Sequence, residues 1–162
     1  MRVVVPDASV ILKWVLPDPP GEEGLDAALR LRDAVISGKV VVKVPSLWLY
    51  EVGNLLTRRF PRRAAGILQL LIAFGLEERA PDDRWLSRLV GLTQAHGVTF
   101  YDAAYHALAL VEKGVFVTAD QKYIRKAGKA GRVISLTDWG ALTVSVRAGP
   151  LDRGRSRRAG TG

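Results

Sequence analysis

The stretch Met1-Arg2-Val3-Val4-Val5-Pro6-Asp7-Ala8-Ser9-Val10-Ile11-Leu12 decides the fold. Three valines in a row, with no polar alternation, describe a strand covered on both faces, as at the centre of a parallel sheet. Pro6 closes the run, because it has no N–H to give to a central ladder. Asp7 stands where the strand ends, and Ala8 to Leu16 begins a helical pattern. In open α/β sheets, ligands bind outside the carboxyl ends of the strands, near the point where strand order reverses. Asp7 occupies such a position, although Asp is also a preferred helix N-cap and alone is best read as one.

Working outward, strand and helix patterns alternate. After a Pro/Gly loop at 17–21, residues 22–37 form an amphipathic helix with Gly38 as its stop, and Val40 to Val44 is a second buried strand ended by Pro45. Ser46 is expected to cap a helix over 47–59, and Pro61 opens another that runs to about Phe74. Residues 76–80 read as a weak edge strand. Helices follow over 82–96, with Gly97 as the stop, and over 99–113, ending at Gly114. Val115 to Thr118 is a strand, 120–127 a helix, 132–136 a strand, and Thr137 to Gly140 a short terminal turn. Such alternation predicts right-handed crossovers and a three-layer αβα domain around a central parallel sheet of four or five strands.

The chain of 162 residues is long enough for one core and too short for two ordinary domains. The expected boundary is near Val146: a domain over 1–146, then a basic tail over 147–162 with little to bury, expected to be disordered. The net charge is +8, and arginine far outnumbers lysine. In the tail five arginines face one aspartate, and on the domain the densest cluster is Arg58, Arg59, Arg62 and Arg63. A basic surface of this kind suits a polyanion. Cysteine is absent, which excludes disulfides and thiolate zinc sites and permits a reducing cytoplasm, the expected location. His96 and His106 form no zinc pair, so a metal here would be a hard one held by oxygen. The apolar run from Ala64 to Leu76 is too short for a bilayer, and no membrane association is expected. Its crowded apolar side chains exceed what one stripe needs, and the 64–74 helix is expected to form a homodimer interface.

Four acids carry the chemistry. Asp7 and Asp120 each follow a strand, and Asp102 lies in the first turn of the helix that starts near Thr99. Each has a structural excuse as a cap or as part of a capping box. Glu51 is harder to excuse, since it lies in Leu47-Trp48-Leu49-Tyr50-Glu51-Val52-Gly53-Asn54, a helix so apolar that burial is expected on both faces. Asn54, three residues on, shares its face. Converging carboxylates repel unless a cation neutralises them, and oxygen-only donors fit Mg²⁺ or Mn²⁺. An acidic site beneath a basic surface is what phosphodiester hydrolysis requires: the arginines hold the backbone, and the metal offsets charge on the reacting phosphate.

These residues resemble the PIN domain, and in particular the VapC-type toxins of toxin–antitoxin pairs. The resemblance rests on Asp7-Ala8-Ser9-Val10 with Lys13-Trp14, Glu51 with Asn54, Asp102-Ala103 before Ala107-Leu108-Ala109, and Thr118-Ala119-Asp120. It implies a metal-dependent endoribonuclease with sheet order 3-2-1-4-5, an RNA substrate, a cognate antitoxin over the acidic groove, and paired subunits. It also implies roles: Asp7 and Asp102 as leading metal ligands, Asp120 as a further one, and Glu51 as a ligand through water or a positioner of the attacking water. Ser9 and Thr118 resemble the polar residues that surround those acids. A non-catalytic RNA-binding module and a housekeeping RNA-processing nuclease are the alternative readings. A dinucleotide enzyme is disfavoured, because no GxGxxG follows any strand.

Overall fold

The computed structural model describes residues 2–16 and 23–147, and side chains as far as Ala141. The expected loop at 17–21, the start of the second helix at Glu22 and the tail beyond Arg147 lie outside these residues. Five parallel strands form one sheet: β1 (Arg2–Pro6), β2 (Val40–Pro45), β3 (Glu77–Arg79), β4 (Val115–Thr118) and β5 (Val133–Ser135), in the order β3-β2-β1-β4-β5. Val4 of β1 pairs with both Val42 and Val115, which puts β1 at the centre. Strand order reverses between β1 and β4, so Asp7 and Thr118 end neighbouring strands at the switch point. Val4, Val5, Val44 and Val117 are fully buried, as an all-apolar parallel strand requires. Gly114 lets β4 start against β1, since a Cβ there would stand 2.9 Å from the Val3 carbonyl oxygen.

Helices flank the sheet: α1 (Ala8–Leu12), α2 (Leu25–Ile36), α3 (Leu47–Arg59), α4 (Ala64–Ala73), α5 (Asp83–His96), α6 (Phe100–Val111), α7 (Gln121–Ala127) and α8 (Leu136–Arg147). In α6 every residue from Ala103 to Ala109 is buried, and its alanines let the helix lie close on β1, β2 and β4. Gly97, in the left-handed region at φ +59°, ends α5, and α6 then returns along it. Asp7, Asp120 and Thr99 cap their helices as expected, with side-chain oxygens that accept from Val10, from Lys122 and Tyr123, and from Asp102.

Three expectations need correction. Ser46 makes no capping hydrogen bond; it already has helical backbone angles, so its hydroxyl does not reach over the first turn. Helix α3 is not buried on both faces: Trp48, Val52 and Leu56 form one inward stripe, while Tyr50 is 77% exposed. The supposed terminal turn at 137–140 belongs to the twelve-residue helix α8. Packing on α2 sustains it despite Gly140, whose missing Cβ is needed because one would lie 2.9 Å from the Ala27 Cβ.

Candidate active site

Asp7 is the centre of the site. Its Oδ1 accepts from the Ser9 hydroxyl at 2.6 Å and from the Val10 amide at 3.0 Å. Its Oδ2 accepts from the Thr118 hydroxyl, and that same hydroxyl oxygen accepts from the Asp120 amide at 3.0 Å. Thr118 thus ties the end of β1 to the turn that carries Asp120. The Asp120 carboxylate caps α7 and is solvent-exposed. Asp102 takes a 2.6 Å hydrogen bond from the Thr99 hydroxyl, which leaves its other oxygen free of side-chain donors among the described residues.

Glu51 reaches the same region from α3. The Tyr105 hydroxyl, almost wholly buried, donates to Glu51 Oε2 at 2.5 Å. Burial raises the Glu51 pKa above the ordinary carboxylate value; the Tyr105 hydrogen bond opposes this, and the charges of Asp102 and Asp7 add to it. Burial likewise raises Asp7, against the hydrogen bonds from Ser9 and Thr118. Burial is also the main cause that raises Tyr105, followed by its hydrogen bond to Glu51 and then by the Glu51, Asp7 and Asp102 charges. Glu51 therefore feels the charges of Asp7 and Asp102. Asp102 and Asp120 share the wall of a recess of about 140 Å³ with Thr99, Lys122, Tyr123 and Lys126.

The predicted acids are linked in pairs: Asp7 and Asp120 share the Thr118 hydroxyl, Asp102 and Asp120 line one recess, and Glu51 lies within reach of the Asp7 and Asp102 charges. Asn54 does not join them: it is exposed, and its side chain makes no hydrogen bond among the described residues. Arg58 and Arg59 close α3, and Arg62 and Arg63 lie in the turn before α4, all exposed. Arg58 is seven residues past Glu51, about 10 Å along the helix axis. Sequence reasoning missed Tyr105 and Tyr123. Tyr105 follows Asp102 by three, which places it on the same helical face, and that spacing was the available signal.

A hard cation suits this donor set, because its oxygen donors are carboxylates and hydroxyls and the charges of Asp7 and Asp102 raise Glu51. Among the described residues, however, no three acidic or histidine side chains are already drawn together to hold an ion. The donor chemistry fits a metal.

A doubly wound parallel sheet with carboxylates at its switch point defines the class. Within it, the family model of the PIN domain matches residues 4–129, and the chain belongs to the PIN-domain family. No curated protein sequence matches the chain. Among solved structures, it is similar to the protein PAE2754 of Pyrobaculum aerophilum, at 17% identity and a TM-score of 0.63, over 89% of this chain and 96% of the other. It is also similar to VapBC2 of Rickettsia felis, solved with a DNA fragment from its promoter, at 11% identity and a TM-score of 0.63, over 83% and 98%. A third similar structure is VapC20 of Mycobacterium tuberculosis, a toxin that cleaves the sarcin–ricin loop, at 19% identity and a TM-score of 0.57, over 80% and 96%.

Proposed function

We propose that this protein is a metal-dependent endoribonuclease that hydrolyses RNA phosphodiester bonds, and that it is the toxin of a toxin–antitoxin pair. The pairwise links among the acids carry this reading: Asp7 and Asp120 share the Thr118 hydroxyl, Asp102 and Asp120 line one recess, and Glu51 lies within reach of the Asp7 and Asp102 charges. A silent module gains nothing from four carboxylates whose repulsion it must absorb. Asp7, Asp102 and Asp120 would hold Mg²⁺ or Mn²⁺. Such an ion, when bound, lowers the pKa of a water and stabilises charge on the reacting phosphate.

The protein's own groups do the rest. Thr118 and Ser9 hold the Asp7 carboxylate in one orientation. Thr99 does the same for Asp102, and Tyr105 for Glu51. The raised Glu51 carboxyl is suited to accept a proton from an attacking water and to release it to solvent afterwards. Lys122 and Lys126 lie at the rim, where they can meet the phosphate chain.

The structural likeness to VapBC2 and VapC20 supports a toxin–antitoxin setting, with an antitoxin chain over the acidic end. We further propose a homodimer through the outward face of α4. Ile67 and Leu71 of α4 are buried within the subunit, but Leu70 is 61% and Ile72 56% exposed. The test of the main reading is cleavage of a single-stranded RNA with Mg²⁺ and its loss in EDTA. Binding without cleavage under any divalent ion would favour the non-catalytic module instead.

A further inference from the structure

A second concavity lies near the acidic recess. It is a groove of about 750 Å³ lined by Arg84, Ser87, Arg88, Gly91 and His96 of α5, with Leu92, Leu110 and Val111 among its apolar walls. His96 lines this groove and its neighbour Gly97 lines the acidic recess, so the two approach each other at the end of α5. Lys126 marks this approach, where its Nζ donates to the Gly97 carbonyl at 3.0 Å. Arg84 and Arg88 are exposed, stand one helical turn apart, and make no hydrogen bond or ion pair among the described residues. Both cations are free to meet a ligand without giving up a partner. Asp83, at the far end, is the groove's one acid.

We propose that this groove is the track along which single-stranded RNA runs into the acidic site, with Arg88 and Arg84 on its phosphates and His96 at the entry to the recess. The inference rests on the nuclease reading above. Four carboxylates repel a phosphate chain, so its attraction must come from cations outside the acidic centre. From His96 to Arg84 the track extends about 18 Å, enough for several nucleotides. Its apolar wall offers Leu92, Leu110 and Val111 to sugar and base faces. Gly91 forms part of its floor, and a Cβ there would meet nothing within 4 Å of the protein. A helix-interior glycine costs about 1 kcal/mol against alanine, and internal packing gives no reason for it.

The test uses the full chain carrying Asp7→Asn, to stop cutting, and a labelled single-stranded RNA titrated across a range of KCl. Arg84→Glu with Arg88→Glu is expected to weaken binding at least tenfold. The slope of log affinity against log salt should become shallower by about 1.4, or 0.7 for each lost phosphate contact. Gly91→Leu, which keeps every charge, should weaken binding with the slope unchanged. Circular dichroism verifies folding, and Arg84→Gln with Arg88→Gln replaces the reversal if it does not fold. Unchanged RNA affinity in these variants, while the wild type still cleaves RNA, overturns the track alone. A larger loss from Arg58→Glu with Arg59→Glu overturns it too, as does lost binding of poly-glutamate with RNA binding intact. If the wild type neither binds nor cuts RNA, the nuclease reading fails and the track fails with it.

Discussion

Thr118 sets the geometry of the site at the scale of single residues, because one hydroxyl serves both the Asp7 side chain and the Asp120 backbone. Asp7→Asn or Asp102→Asn should abolish metal-dependent RNA cleavage with the fold retained, a loss beyond the roughly 10–100-fold typical when a supporting partner of a ligand is changed. Tyr105→Phe belongs to that lesser class, and should cost about 10–100-fold while the far-ultraviolet spectrum stays the same. The pH dependence of stability has a definite sign. Burial raises Asp7, so its contribution is fully present below the unfolded value and is lost as pH rises through the folded one. Burial lowers His106, which works the other way as the solution is acidified. The difference between Asp7→Asn and wild type isolates the first effect: in EDTA the variant's melting-temperature advantage should grow from about pH 4 towards neutrality. The acids were legible because three of them hold the same place, just past a strand or at a helix start. Tyr105 was not, because its aromatic ring among alanines reads as core until the Glu51 carboxylate is set beside it.

At the scale of elements, helix α3 shows why composition misleads. Its apolar residues exceed what it buries, and one stripe, Trp48, Val52 and Leu56, does the packing. Leu56→Ala should cost about 2–5 kcal/mol in denaturant melts. Helix α4 divides in the same way, so tests of the dimer must avoid the buried Leu71. Leu70→Glu with Ile72→Glu should yield a monomer mass by light scattering, with the melting temperature of the isolated subunit preserved; an undisturbed dimer would exclude this face. Helix α8 was illegible for a reason of propensity. Gly140 and the β-branched Thr143, Val144 and Val146 are weak helix formers, and the contact with α2 overrides them. Val3 to Val5, Val40 to Val44 and Val115 to Thr118 made the central strands legible, while the edges were less so: β3 read only as a weak strand, and β5 ends before Leu136, which opens α8.

For the whole molecule, the reversal of strand order between β1 and β4 brings Asp7 and Asp120, far apart in sequence, to the ends of neighbouring strands, where Thr118 joins them. That order came from family resemblance, because alternation alone leaves several orders open. The placement of the positive charge was less legible. Density along the chain singles out Arg58 to Arg63, whereas the three-dimensional groove next to the acids holds Arg84 and Arg88, spaced too widely in sequence to look like a cluster. Truncation after Arg147 should leave the melting temperature unchanged and make RNA binding less salt-dependent, because the removed segment is arginine-rich. The most direct test of the central claim is a time course of single-stranded RNA with wild type and Asp7→Asn, each in Mg²⁺ and in EDTA. Cleavage by the wild type in Mg²⁺ alone is the predicted result; equal cleavage by Asp7→Asn, or undiminished cleavage in EDTA, would contradict it.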